Sequence, residues 1–283
     1  DAAKTAATEV LRRFDDLHRK LHAWQPSELT QLNRAIAADK RQSLDAELAA
    51  VLLDAKAYSL NGGEWFNPAI GQLIHLWGFH ADLPPSRVPD SSDLSALVKS
   101  APSMRQLHIE NGQAWSTNPA VRIDLGGYAK GYALDEAAGI LQRHGMRNAL
   151  VNIGGNVIAL GNAGGRPWKV GIQHPRKPGV IATLELREGE AIGTSGDYQR
   201  YFEAGGKRYC HLIDPHSGWP ANDMQSVTVL VSGVRAGVRS DVSSKPLFIG
   251  GAAQLPHLLA QARIGRALAI DPHSAQACNN LGH

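Results

Sequence analysis

Val10, Leu11, Phe14, Leu17, Leu21 and Trp24 recur at the spacing of one helical face, and Pro26 ends the run. Ser27 can then cap a short helix through Leu32, because its hydroxyl accepts an orphan amide of the first turn. A second helical run extends from Leu44 to Leu60 and stops at Gly62-Gly63. Met104 to Ile109 and Ala114 to Thr117 flank Glu-Asn-Gly-Gln and predict a hairpin. Val121, Ile123 and Leu125 alternate like a strand that feeds, through Gly126 and Gly127, a helix carrying Ala133, Leu134, Ala137, Ala138 and Leu141 up to Gly145.

From Asn148 to Val231 the period shortens to that of strands. They are expected at Ala149 to Ile153, Val157 to Leu160, Lys169 to Ile172, Ile181 to Leu186, Glu190 to Gly193, Gln199 to Glu203, Arg208 to Ile213 and Ser226 to Val231. Helices at Ser244 to Ile249 and Leu255 to Ala262, with Pro256 in a first turn, follow. The class is α+β, an antiparallel β-sheet core packed by helices. Residues 267–282 resemble half of a helical repeat and read as a terminal or docking helix.

With 283 residues, 43% of them hydrophobic, the chain buries a substantial core, and residues 1–283 read as one domain with a divergent tail from about 265. The balance of 29 basic and 26 acidic residues, dispersed along the chain, argues against a nucleic-acid footprint. No apolar run of about 18 residues predicts a membrane helix. Cys210 and Cys278 are too isolated to suggest a disulfide framework or a zinc site.

The segment Asp124-Leu-Gly-Gly-Tyr-Ala-Lys-Gly-Tyr-Ala-Leu-Asp135 has the makings of a phosphate site. Gly126 and Gly127 let backbone approach a ligand, a helix start offers amides to an anion, and Lys130 adds a mobile charge. The pattern is neither G-x-G-x-x-G nor a P-loop, and a plain turn with a solvated lysine fits it as well.

Further segments change that balance: Ser27-Glu-Leu-Thr-Gln-Leu-Asn33, Phe66-Asn-Pro-Ala-Ile-Gly71 running into Leu76-Trp-Gly-Phe79, Val151-Asn-Ile-Gly-Gly-Asn156, Thr194-Ser-Gly-Asp-Tyr198 and His211-Leu-Ile-Asp-Pro-His-Ser-Gly218. In this order, from about Arg12 to about Gly251, they resemble the ApbE family, the FAD:protein FMN transferases. The resemblance implies an ApbE-like fold that cleaves FAD, attaches FMN to a Thr or Ser of a target protein and releases AMP. It also implies export, in the periplasm or on the outer face of the cytoplasmic membrane. The N-terminal strand that usually precedes the family's first helix is not expected in this chain.

By the same resemblance, Trp24, Glu28, Trp65, Phe66, Asn67, Asp124, Gly126, Gly127, Lys130 and Ile213 fall at flavin-binding positions, with Asn156, Ser195 and Asp197 on loops around the pocket. His211 and Asp241 take catalytic roles. A neutral His accepts a proton from an attacking hydroxyl near pH 7. Plainer readings stand beside these: Trp24 and Phe66 as core aromatics, Asp124 as a helix cap, and Asn156, Asp197 and Asp214 as turn residues satisfying local backbone.

The resemblance further implies Mg²⁺ held by the Gly127 carbonyl, Asp241 and a Thr four residues on, with Ser244 alongside. This chain reads Asp241-Val-Ser-Ser-Lys245, so Lys245 replaces the Thr. A protonated Lys has three donors and no lone pair. Two arrangements are open: the ammonium replaces the ion, or it turns outward and water fills the ligand position. Asn67 and Ala69 also depart from the family's Asp and Thr. Two alternatives follow, an FAD carrier or maturation factor that leaves FAD intact and a flavin-dependent oxidoreductase, with a ligand-free structural protein the weakest reading.

Overall fold

A computed structural model describes residues 2–81 and 87–279. The chain begins with α1 (Ala2–Leu21), α2 (Glu28–Ala37), the short strand β1 (Gln42–Ser43), α3 (Ala46–Asn61), α4 (Gly71–Leu76) and α5 (Ser91–Lys99). A 3₁₀ turn (Met104–Gln106) leads into β2 (Leu107–Glu110) and β3 (Gln113–Ser116), and α6 (Ala129–Arg143) follows. Then come β4 (Ala149–Ile153), β5 (Asn156–Leu160), β6 (Trp168–Gln173), β7 (Val180–Leu186) and β8 (Glu190–Gly196). The chain continues with β9 (Tyr201–Ala204), β10 (Lys207–Cys210), β11 (Ser226–Ser232), α7 (Ala236–Ile249), α8 (Gly251–Gln261), β12 (Arg266–Ile270) and β13 (Ala275–Asn279).

These elements divide into two compact units. The first comprises Asp1–Leu17, Tyr128–Tyr198 and Asp223–His283; the second comprises His18–Gly127 and Gln199–Asn222. The first is built on a six-stranded antiparallel sheet in the order β13-β12-β11-β8-β5-β4. Val157, Ala159, Ile172, Leu186, Ile192 and Leu230 form a core between this sheet and the β6–β7 ribbon. On α7, Asp241, Val242, Ser244, Lys245, Leu247 and Phe248 are all buried, so polar groups there must find partners inside the protein.

The second unit holds the three-stranded sheet β1-β3-β2 and the β9–β10 hairpin. Its core gathers Ile70, Leu73, Trp77, Phe79, Leu94, Phe202 and Ile213. Trp77 is fully buried and donates its indole N–H to the Gly218 carbonyl at 2.8 Å. Ser27 caps α2 as its sequence predicts: its Oγ accepts the Thr30 amide at 2.9 Å, while Thr30 Oγ1 accepts the Ser27 amide at 2.9 Å.

Several expectations need correction. Residues 121–125 are buried at Val121, Ile123 and Leu125 but form no strand, only an isolated bridge between Ile70 and Arg122. Side chains and loops take the backbone groups that a neighbouring strand would use. Asn33 brackets Ile123, donating to its carbonyl at 2.9 Å and accepting its amide at 2.7 Å, and the Asp124 amide donates to the Pro68 carbonyl at 2.8 Å. Alternating burial therefore does not require a ladder.

α7 starts at Ala236, earlier than the periodicity suggests, because its first turn is capped from a distant helix. α8 starts at Gly251, which places Pro256 inside the helix instead of in its first turn. The tail is not a helix: β12 pairs with β11 and β13 with β12, and the alternate residues Ala267 and Ala269 are buried. Residues 280–283 lie outside the described residues.

Candidate functional site

In the first unit the site grows from two helix starts that cap each other. The Gly131 amide, in the first turn of α6, donates to Asp241 Oδ2 of α7 at 2.9 Å. In return, Asp135 of α6 accepts the first amides of α7, Gly237 on Oδ1 at 2.8 Å and Val238 on Oδ2 at 2.9 Å. Both carboxylates thus meet the positive end of the partner helix. Such an approach needs glycine on each side. A Cβ on Gly131 would overlap the Gly237 carbonyl and stand 2.7 Å from both Asp241 Cβ and Val238 Cα. No local motif marks Asp135 for this role, since its partners are about a hundred residues away.

Lys245 lies one turn after Asp241 and reaches back to it. Its Nζ donates to Asp241 Oδ1 and to the Asp241 carbonyl, the latter at 2.7 Å. Of the two arrangements left open by the sequence, the inward one is realised, with Asp241 0% and Lys245 8% exposed. Ser244 Oγ donates to the same carbonyl at 2.8 Å, which spends its one proton, so the 2.8 Å contact with Ser195 Oγ is donated by Ser195.

Burial alone would raise the Asp241 carboxyl, but the charges of Lys245 and Lys130 and the bonds from Lys245 and Gly131 hold it below the usual carboxylate range. Burial pushes the Lys245 amine below the usual lysine range, with the Asp241 charge opposing and Lys130 adding to the shift. Lys130 makes no hydrogen bond or ion pair among the described residues, so its charge acts on Asp241 only through space.

These residues do not fit a divalent ion at Asp241. Oδ1 serves Lys245, Oδ2 serves Gly131, and the carbonyl serves both Ser244 and Lys245. Mg²⁺ seeks near-octahedral oxygen ligation. Among the described residues no cluster of three His, Cys, Asp or Glu could hold a metal.

Asn156 opens β5 just after the Gly154-Gly155 turn and is completely buried. Its Oδ1 accepts the Thr194 amide at 3.2 Å, but its Nδ2 has no partner among the described residues. Buried donors are rarely left unpaired, and this one shares that state with Ser59 Oγ, His80 Nδ1 and Ser226 Oγ. Asp197 is held by Arg176 in a two-bond fork at 2.6 and 2.5 Å, a partner that nothing in the sequence singles out.

In the second unit Asp124 has a role that the sequence does not suggest. Its Oδ1 accepts the Gly126 amide at 2.7 Å and its Oδ2 accepts His80 Nε2 at 2.7 Å, so it caps a turn and orients an imidazole. It does not cap α6, whose N-cap Tyr128 makes no side-chain capping bond. Burial would raise the Asp124 carboxyl, but His80, the Gly126 amide and Arg200 hold it below the usual range.

Trp24 stacks on His80 at 5.2 Å, and the Arg200 guanidinium lies 5.4 Å over the Trp24 ring. Arg200 is fixed by the Phe79 and Ala81 carbonyls at 2.6 and 2.9 Å. His80 follows a recognised segment, but its pairing with a carboxylate 44 positions later has no sequence signal.

His211 Nδ1 faces the Arg200 carbonyl at 3.2 Å. A carbonyl only accepts, so Nδ1 carries the proton and Nε2 of the neutral ring is the basic nitrogen. Asp214 accepts the His216 amide at 2.9 Å, the turn role foreseen for it. Ile213 sits in the core cluster. Asn67 joins two loops, donating to the Pro102 carbonyl at 2.9 Å and accepting the Ala69 amide at 3.0 Å; Phe66 is buried beside it in sequence. Trp65 meets His216 edge-on at 4.8 Å. Glu28 opens α2 with its side chain partly exposed, 3.9 Å from Lys20.

Comparisons with known proteins identify the family. The sequence profile of the ApbE family matches residues 2–268. The chain is 40% identical over 268 residues to a FAD:protein FMN transferase of Rhodobacter capsulatus, covering 95% of this chain but only 51% of that protein. It is 31% identical over 267 residues to one from Vibrio cholerae, covering 91% of this chain and 79% of the relative. Among solved structures, the ApbE protein of Thermotoga maritima superposes with a TM-score of 0.89 at 27% identity, over 97% of this chain and 89% of that one. The apo flavinyl transferase ApbE of Pseudomonas stutzeri gives 0.85 at 27% identity, over 98% and 87%. With a family profile spanning nearly its whole length and the same fold in its solved relatives, this chain belongs to the ApbE family.

Proposed function

We propose that the protein is an FAD:protein FMN transferase, acting on FAD and on the hydroxyl of a Thr or Ser in an acceptor protein. One observation carries the reading in this chain: Lys130 stands uncommitted at the start of α6, beside an Asp241 whose charge Lys245 already balances. That surplus cation suits a diphosphate. The buried, unpartnered Nδ2 of Asn156 offers a further donor.

In the proposed reaction the acceptor oxygen bonds to the flavin-side phosphorus. The bond from that phosphorus to the bridging oxygen breaks, AMP leaves with that oxygen, and the hydroxyl proton passes to His211 Nε2. The protein's share is positioning and charge neutralisation, as in other phosphoryl transfers. Export, to the periplasm or the outer face of the cytoplasmic membrane, belongs to the same proposal, supported by the family likeness and tested by fractionating the host.

The purified protein, incubated with FAD and an acceptor bearing a flavinylation site, should yield AMP and a fluorescent acceptor band. His211→Gln should lower AMP release by about 10²–10⁴-fold while FAD still binds. A second reading, an FAD carrier that leaves the diphosphate intact, is favoured by the absence of a fitting metal site at Asp241. Tight FAD binding without AMP would select the carrier; no FAD binding at all would remove both readings.

A further inference from the structure

We propose that Lys245 is the built-in cation of the Asp241 site and closes it to divalent metal. The pair's service to a flavin diphosphate rests on the function proposed above, whereas the exclusion of metal rests on the first unit alone.

Every oxygen that Asp241 could lend to an ion already accepts at least one hydrogen bond. Oδ1 accepts from Lys245, Oδ2 accepts from the Gly131 amide at 2.9 Å, and the carbonyl accepts from Ser244 at 2.8 Å and from Lys245 at 2.7 Å. To bind, a metal would displace an ammonium that is tethered one turn away and therefore always at high local concentration. It would also have to tolerate that ammonium and Lys130 nearby, both with the wrong sign of charge. Expelling Lys245 from its partner would leave a long cationic side chain in a buried position, and breaking such a pair is costly.

No other nearby acid is spare. Asp135 is committed to the Gly237 and Val238 amides. Geometry and charge therefore give the same answer: Asp241 has a permanent counter-ion in Lys245, and Lys130 adds a second cation beside it. An ammonium does not replace every property of Mg²⁺. It neutralises charge and donates hydrogen bonds, but it cannot gather several phosphate oxygens into one coordination sphere. Binding of a diphosphate should thus be insensitive to chelator.

The test follows free Mn²⁺, a stand-in for Mg²⁺, by electron paramagnetic resonance during titration of the whole wild-type chain and of Lys245→Thr, which supplies an oxygen in place of the amine. The variant should bind one Mn²⁺ at least about tenfold more tightly than wild type, because a repelling cation is exchanged for an oxygen ligand. Equal behaviour of the two proteins, whether both bind or neither does, overturns the proposal.

Should the variant not fold, the wild-type melting temperature decides. It should agree within about 1 °C between about 10 mM Mg²⁺ and chelator, and a saturable rise with Mg²⁺ refutes the closed site, since a ligand that binds the native state raises stability. Quenching of FAD fluorescence, measured separately, reports on the function proposed above, so failure of that reading and failure of this one show in different signals.

Discussion

Two glycines on the same helix should respond to alanine with opposite signs. Helix propensity favours Ala over Gly by about 1 kcal/mol at either position of α6. At Gly139 the nearest atom to an added Cβ is the end of Arg143 at 3.6 Å, an ordinary contact with a flexible side chain, so the full gain should appear. At Gly131 the methyl would overlap the Gly237 carbonyl and press on Val238 Cα and Asp241 Cβ at 2.7 Å, none of which can swing aside.

Overpacking against fixed backbone costs about 1–3 kcal/mol. If α6 and α7 separate to relieve it, the Gly131 bond to the Asp241 carboxylate is also lost, at about 1.5–3 kcal/mol for a charged acceptor. Set against the propensity gain, the net destabilisation is about 2–4 kcal/mol. At about 2–4 °C per kcal/mol in a protein of this size, Gly131→Ala should melt roughly 4–16 °C lower, whereas Gly139→Ala should match or exceed wild type. Differential scanning fluorimetry of the three proteins is sufficient. A Gly131→Ala variant as stable as wild type would show that the helix starts do not meet as described.

Other perturbations separate the remaining contacts. Because the Asp124 carboxyl is held below its usual range, its stabilisation is full above the unfolded value of about 3.9 and is lost as pH falls through the lower folded value. Wild type should therefore lose more stability than Asp124→Asn between about pH 5 and 2, read from urea midpoints; parallel curves contradict the assignment. His80→Phe keeps a ring against Trp24 but leaves Asp124 Oδ2 without its donor, at an expected cost of about 1–3 kcal/mol; an unchanged thermal midpoint would mean that the bond does not matter. Arg176→Lys replaces a two-bond fork on the mostly buried Asp197 with a point charge and should cost about 1–2 kcal/mol in chemical denaturation, a loss not expected of a solvated surface pair.

The sequence determined most elements and the family. Ser27 ahead of α2, Gly62 after α3 and the turn glycines between β4 and β11 act through neighbours a few residues away, so their effect is readable in order along the chain. The ordered motifs from Ser27 to Gly218 named the family because each carries its own spacing. Some of the site was legible for the same reason. The substitution at Lys245 was evident before its direction was known, although the helix expected from Ser244 left Asp241 outside it.

Only the tertiary structure decided the remainder. The alternation at Val121, Ile123 and Leu125 gave burial but not a strand, because Asn33 and the Pro68–Ala69 loop supply the hydrogen bonds that a ladder would. The early start of α7 depends on Asp135, His80 acquires its role from Asp124, and Asp197 is fixed by Arg176. Each partner is distant in sequence. Whether Lys245 faced solvent or Asp241 was likewise a question of burial: once α7 is enclosed, an ammonium and a carboxylate that share its interior have lower energy paired than apart.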